Sequence, residues 1–401
     1  MSKRLFPAAA LAVAVAITMG ACSAPAVEDG EESVPGIIGT EIQIAISSPE
    51  SGPGAVAAAY ASGMRAYLDE VNRQGGIEGY TFNVTTFDNA GNAAGGAQAI
   101  RQIISNEPFF TGVTGSAAFQ AAVEVLKTQA PELPLVGFGN AQLVKDSGLE
   151  NVFGFFPNYI GECNLQVDYA MEELGFTDFA LVYEDSATGQ GPAANCPAYA
   201  EDAGAEMTSY AVPPPAVSTN YGPIAAQIAA GGHEVALFFG SNGELVGLQK
   251  AAFSIGTDMK WMAFAPAYDI TYFELTGEAG VGTYFDAFAQ PVNSDTEEAE
   301  LFRTVMAQRA PNAANSPGAY GWSYGAIIEA AVKTALEEND GKLTQEGFLE
   351  ALRNLKTDGL GLLYSVDYTV DTTQITSQLN IYEVTPDGLD LVAEALPVPT
   401  N

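Results

Sequence analysis

The sequence predicts an α/β chain of two similar lobes, each a parallel sheet covered by helices on both faces. Three observations predict it. Short runs with strand alternation recur between segments with helical spacing, and this rhythm restarts after Pro157. The chain is also 401 residues long, whereas a single hydrophobic core stops growing at about 250–300 residues. Strands separated by helices of this length form βαβ units, and those require parallel strands.

The elements follow in order. Ile42, Ile44 and Ile46 alternate as a half-buried strand does. Helical spacing over residues 55–73 stops at Gly75-Gly76, a C-cap signal. Residues 81–87 read as the next strand, 93–105 as a helix and 109–113 as a short strand. A helix over 116–128 would take Ser116 as its N-cap, and a strand at 133–136 closes the set. Beyond Pro157, helices are predicted at 162–174, 192–203, 223–230 and 243–253. They alternate with strands at 179–183, 206–211, 235–239, 261–264 and 281–285. Helices at 297–307, 320–338 and 344–355 precede a strand-rich tail, where Thr385-Pro386-Asp387-Gly388 is a hairpin loop.

The first residues speak to location. Lys3 and Arg4 precede an apolar stretch, 5–18, broken only by Pro7, and Met19-Gly20-Ala21-Cys22 then sets small residues before a cysteine. This is the order of a secretory signal peptide, 1–21, and the apolar run is short for a membrane span. Cys22 at the cleavage point resembles a bacterial lipobox and would carry the lipid of the mature chain. The plainer reading is an ordinary signal peptide with an incidental cysteine. Residues 22–37 read as a flexible tether, rich in Pro, Gly, Ser and acids up to Pro35.

Charge excludes one class of partner. Fifteen basic residues against 49 acidic ones give −34. Loss of Lys3 and Arg4 with the leader leaves 13 against 49, or −36. Nucleic acid is excluded, because phosphate neutralisation needs a basic face. Such self-repulsion is tolerated where salt screens it, the Debye length being about 3 Å at 1 M, so a saline habitat and an ordinary exported acidic protein both fit.

Several motifs, in order and spacing, resemble a known family. They are Ile42-Gln43-Ile44-Ala45-Ile46 followed by Ser51-Gly52-Pro53, then Asp69-Glu70-Val71-Asn72-Arg73-Gln74-Gly75-Gly76-Ile77 with Gly79, and Asp88. Gly112 through Gly115-Ser116, and Pro317 with Tyr320 and Tyr324, complete the set. Over residues 40–395 the chain resembles the type I periplasmic binding proteins, in particular the branched-chain amino acid (leucine/isoleucine/valine) binding proteins of ABC importers. The resemblance implies two Rossmann-like lobes joined by three hinge crossovers near Phe156-Pro157, 288–290 and 361–364. Lobe 1 is then 38–156 with 289–362, and lobe 2 is 157–288 with 363–401. It further implies a lipid-anchored monomer on the outer face of the bacterial cytoplasmic membrane, without cofactor or metal. That monomer would capture a small molecule by hinge closure and deliver it to an ABC permease. A ligand sensor of the same fold is the other reading.

Ligands of open α/β sheets sit beyond the carboxyl ends of the strands, which picks out the candidate site. Ser116 and Ala117 open a helix whose free N–H groups suit a carboxylate, and in the resembling family a serine here holds one. The bland alternative is a helix start with no ligand. Phe138-Gly139-Asn140 stands where the family carries Ala and Thr, and Asn140 is equally a turn residue. In lobe 2, Thr188 and Asn242 occupy places where the family often has aromatics. Asp269 is the one acid near the family's ammonium partner, and Tyr268 offers a ring for stacking. The ligand expected is therefore a small carboxylate- or amide-bearing solute: a leucine-like amino acid first, then an aromatic acid or amide.

One enzyme-like motif is Gly321-Trp322-Ser323-Tyr324-Gly325, which fits Gly-x-Ser-x-Gly. That motif needs a strand before the serine and a histidine partner, and the single His233 reads as a surface residue at the Gly231-Gly232 turn. No catalytic residue is expected. Cys163 and Cys196 are the remaining thiols of an exported chain, which favours a disulfide over two buried free thiols.

Overall fold

The computed structural model describes residues 34–52, 55–214, 220–257 and 259–399. The signal peptide, Cys22 and most of the tether lie outside the described residues. The first half of the chain runs β1 (Ile37–Ile38), β2 (Glu41–Ser48), α1 (Ala58–Arg73), β3 (Thr81–Asp88), α2 (Ala93–Ser105), β4 (Phe110–Thr114), α3 (Ser116–Gln129), β5 (Leu135–Phe138), α4 (Ala141–Ser147) and β6 (Val152–Gly154). Then come α5 (Tyr159–Glu172), β7 (Asp178–Glu184), α6 (Gln190–Ala203), β8 (Glu206–Val212), α7 (Gly222–Gly231), β9 (Val235–Phe239), α8 (Asn242–Ser254), β10 (Lys260–Ala263), α9 (Tyr272–Thr276) and β11 (Thr283–Ala287). The last part holds α10 (Glu297–Arg309), α11 (Ser316–Glu338), α12 (Gln345–Arg353), β12 (Lys356–Thr357), β13 (Val366–Asp367), β14 (Gln378–Thr385) and β15 (Gly388–Pro397).

Two main sheets result, and they repeat one another. Five parallel strands of the first run β3-β2-β4-β5-β6, and five of the second run β8-β7-β9-β10-β11. In both, the strand first in sequence lies second in space, so the order reverses between β2 and β4 and again between β7 and β9. These are the switch points where a crevice opens at the carboxyl edge. The α/β reading stands, with two corrections. The sheets are not wholly parallel: β1 pairs antiparallel with β2, and the tail hairpin β14–β15 extends the second sheet antiparallel from β11. Sequence periodicity also passed over α4 and β6, seven and three residues long, too short to display a period.

The aromatic core joins the sheets. Helix α11 lies against α1 at backbone distance: a Cβ at Gly63 would stand 1.9 Å from Gly318 O, and one at Gly321 1.9 Å from Tyr60 O. This approach stacks Tyr60 against Tyr320, ring centroids 6.1 Å apart. Phe138, Phe155, Phe156 and Phe288 pack round the pair.

Segment 155–158 leads from β6 of the first sheet through α5 to β7 of the second, and segment 288–290 leads from β11 toward α10. Segments 288–290 and 362–364 run antiparallel side by side, Gln290 N–H donating to Leu362 O at 2.8 Å and Tyr364 N–H to Phe288 O at 3.0 Å. Ser323 holds this ribbon, its Oγ accepting the Leu362 N–H at 2.9 Å while donating to Ala319 O at 2.8 Å. Cys163 on α5 and Cys196 on α6, both fully buried, form a disulfide.

Candidate binding cleft

The turns at the carboxyl edges of the two sheets approach one another. On the first, β4 ends at Thr114 and Gly115, at φ 94° and ψ 131°, swings the chain into α3 as its N-cap. Ser116 is thus the first helical residue and not the cap, a correction: a glycine takes the positive φ and no side chain makes a cap hydrogen bond to the helix start. Ala117 is exposed in that first turn, leaving N–H groups for an anionic head group. Buried Ser116 accepts the Asn140 N–H on its Oγ at 3.2 Å, so its own hydroxyl hydrogen remains to donate. Asn140 caps α4 through its Oδ1, which accepts the Gln142 N–H at 3.0 Å. Its Nδ2 donates to Ala187 O at 3.3 Å, a contact from the turn after β5 to the turn after β7.

On the second sheet, half-buried Thr188 lies in the 185–189 turn, its N–H donating to Ser186 Oγ at 3.1 Å. Asn242 opens α8 behind a capping box of Ser241 and Glu244, and its Nδ2 donates to Ala267 O at 2.9 Å. That bond ties the β9 turn to the 265–267 turn, which presents Tyr268 and Asp269. Tyr268 packs edge-on to Phe285, centroids 5.2 Å apart. Asp269 Oδ1 accepts from the N–H (3.0 Å) and Oγ1 (2.6 Å) of Thr271, while its buried Oδ2 has no protein partner.

Asp269 faces the first-sheet side. Burial, and after it the Asp269 charge, pushes the Tyr60 hydroxyl well above its ordinary value. Burial, Tyr60, Glu162, Tyr268 and Asp269, in that order, do the same to Tyr320. Tyr320 Oη donates to Ala265 O at 3.3 Å. The structure therefore brings Ser116 to Asn140, Asn140 to the turn carrying Thr188, and Asp269 to Tyr60 and Tyr320. Phe138 and Gly139 lie beneath, Phe138 buried in the aromatic core.

Charge polarises the cleft. The strand-end turns at 114–117, 138–142, 184–191, 239–244 and 263–271 contain no Lys, Arg or His. On the second-sheet side, burial and then neighbouring Glu184 hold the Glu244 carboxyl up at about 8, although Ser241 N–H and Oγ reach its Oε2 at 2.8 and 2.9 Å. One face thus offers helix N–H groups and hydroxyls, the other carboxyl groups.

The residues that sequence reasoning missed are Tyr60, Ala187, Glu184 and Glu244, along with the place of Tyr320 beside Tyr60 and Ala265. Tyr60 belongs to no motif and follows no strand end, so nothing in the sequence marks it. One other reading, that of His233, is corrected. Ser323 lies buried in mid-helix with its hydroxyl committed to Ala319 and Leu362, so there is no strand-to-helix nucleophile turn. His233 is no surface residue: its side chain is 6% exposed, with Asp178 Oδ1 at 2.6 Å and Tyr210 Oη at 2.7 Å, so no triad forms around Ser323.

Comparisons agree with this fold. No curated protein sequence matches the chain, but solved structures share its fold at low identity. A branched-chain amino acid ABC transporter protein from Thermus thermophilus with bound valine superposes with a TM-score of 0.80 at 16% identity, covering 89% of this chain and 96% of its own. A fatty acid ABC transporter substrate-binding protein from Thermomonospora curvata gives 0.79 at 17% identity, with 93% and 98% covered. An ABC transporter solute-binding protein from R. palustris in complex with 4-hydroxybenzoate gives 0.75 at 18%, with 90% and 98% covered. The sequence profile described as periplasmic binding protein matches residues 41–389, a span containing every strand-end turn of the cleft. The chain belongs to the periplasmic binding protein family.

Proposed function

We propose that this chain is the extracytoplasmic solute-binding component of an ABC importer, anchored by lipid at Cys22, that captures a small polar or carboxylate-bearing solute by hinge closure. The lobes in this reading are 38–156 with 289–362 and 157–288 with 363–401, turning about the three crossovers. The observation that carries it is the polarised pair of faces at the carboxyl edges of two repeated sheets, with Ser116 and the α3 start on one and Asp269 on the other. A ligand bridging both faces contacts them together only in the closed form, and that differential contact shifts the population toward it.

The same polarity favours a solute that carries a carboxylate or amide at one end and a donor or ammonium at the other. An amino acid such as leucine, isoleucine or valine is the leading choice. The rings of Tyr60, Tyr268 and Tyr320 favour aromatic amino acids and amides next. A solute of strong net negative charge is disfavoured, since no basic side chain lies in the turns and the chain carries −34.

A thermal-shift screen across amino acids, amides and aromatic acids tests this reading. Ser116→Ala should weaken the best hit by at least ~1 kcal/mol through the lost hydroxyl donor. Unchanged affinity in calorimetry would remove Ser116 from the ligand and move the site elsewhere.

A further inference from the structure

Two acids meet at the switch point of the second sheet. Glu184 is the last residue of β7, and Glu244 stands in the first turn of α8, which follows β9. Glu244 is fully buried, and its Oε2 accepts from the Ser241 N–H and Oγ at 2.8 and 2.9 Å. Its Oε1 meets no N–H or O–H among the described residues, and the side chain neighbouring it is the half-buried Glu184 carboxyl. Two carboxyl groups bond to one another only through a proton. Burial assigns that proton to Glu244 and leaves the charge on the more exposed Glu184. Tyr221, just before α7, also faces the pair, and the turns at 184–191 and 239–244 hold no basic residue to neutralise it.

Contacts tie Glu184 to the anion-binding side of the cleft. Ser116 Oγ accepts the Asn140 N–H at 3.2 Å, and Asn140 Nδ2 donates to Ala187 O at 3.3 Å, in the turn that Glu184 opens. That turn is wound tightly on Glu184: the Ser186 N–H donates to Glu184 O at 2.7 Å, and a Cβ at Gly189 would stand 2.3 Å from the same oxygen. An α-amino acid carries its carboxylate and ammonium on one carbon, so the partners of those two groups must be neighbours. Asp269 sits with Tyr60 and Tyr320 instead, its Oδ1 held by Thr271. We propose that Glu184 is the counter-ion for the ammonium of the solute and that Glu244 is the positioning residue which keeps Glu184 in place and ionised. The inference rests on the capture reading above and narrows its solute class to α-amino acids, over acids and amides without an amino group. When an ammonium pairs with Glu184, its charge makes the Glu244 proton easier to lose. That proton passes to solvent, and the two carboxylates then share the bound cation.

L-leucine and L-phenylalanine are the probes, with isocaproate and hydrocinnamate, the same skeletons without the amino group, as controls in calorimetry on the full mature protein. At least one amino acid should bind ~10-fold or more tightly than its deaminated control, as a site built around a polar group requires. Glu184→Gln should weaken the amino acid at least ~10-fold, the range of a lost hydrogen bond to a charged group. Because the complex holds fewer protons, affinity should rise between about pH 6 and 8, with proton release seen in buffers of different ionisation heat. In Glu244→Gln the amide N–H replaces the shared proton and its oxygen still accepts from Ser241, so the rise should flatten and the release vanish. Wild-type amino acid affinity in Glu184→Gln, proton release that survives Glu244→Gln, or controls bound as tightly as the amino acids would overturn the assignment. If neither amino acid binds while another solute of the screen does, the assignment falls and the capture reading stands; if no solute binds, both fall.

Discussion

At pH 8, Glu162→Gln should stabilise the protein by at least ~2 kcal/mol, and the gain should shrink toward zero below pH 5. Burial, and next the Asp286 charge, holds the Glu162 carboxyl well above the usual carboxylate range, with the Ala265 backbone opposing weakly. Burial raises Asp286 to about 8 against the Gln166 hydrogen bond. The groups facing Glu162 are Tyr159 on the same helix and Tyr320 from α11, and Gln166 faces Asp286. The sign follows from proton counting. Folded-state values raised above the unfolded ~4 mean that the native state binds more protons between pH 4 and 8. The stabilisation is complete below the unfolded value and is lost as pH rises through about 8. Glu244, also at about 8, adds to the same slope. Because −34 of net charge also relaxes in acid, wild type alone cannot separate the causes, whereas the difference between wild type and Glu162→Gln across pH isolates the pair. Urea titrations at several pH values give that difference. A gain independent of pH would show that the buried pair does not titrate in this window.

Breaking the Cys163–Cys196 bridge should cost ~3–4 kcal/mol. The two cysteines lie 33 residues apart in sequence, and the entropy of closing a loop of that size in the unfolded chain gives this figure. The bridge fastens α5 to α6 beside β7, and α5 carries both Glu162 and the exit from the first crossover. Reduction should therefore lower the denaturation midpoint and loosen the region next to the hinge. Thiol titration of the denatured, unreduced protein should find neither cysteine free. A midpoint indifferent to reductant would mean that the native contacts alone hold the two helices.

Much of the fold was legible because its elements are local. Ile42, Ile44 and Ile46 face inward, all under 2% exposed, as their alternation predicts, and the hairpin at 385–388 connects β14 to β15. Pairing between distant segments was not legible. Nothing near β11 tells that β14 will lie antiparallel beside it, or that five strands will take the same order twice. The cleft divides in the same way. Ser116, Asn140, Thr188, Asn242, Tyr268 and Asp269 follow strand ends, so the edge rule reaches them. Tyr60 and Tyr320 meet only because glycines let α1 and α11 touch, and Glu162 and Asp286 meet across 124 positions of chain. Ser116 was misread as a cap because its neighbour Gly115 takes the φ of 94° that the turn demands.

Solution scattering with and without the best solute from the thermal-shift screen tests the central claim most directly. Asn140 to Ala187 spans the turns of the two sheets, and Tyr320 of α11 reaches Ala265 in a turn of the second; a bridging solute should hold these contacts shut. The radius of gyration should fall when that solute is added, and the bound profile should match the one calculated from this structure. A solute that binds tightly, raises the melting temperature and leaves the profile unchanged would contradict capture by hinge closure.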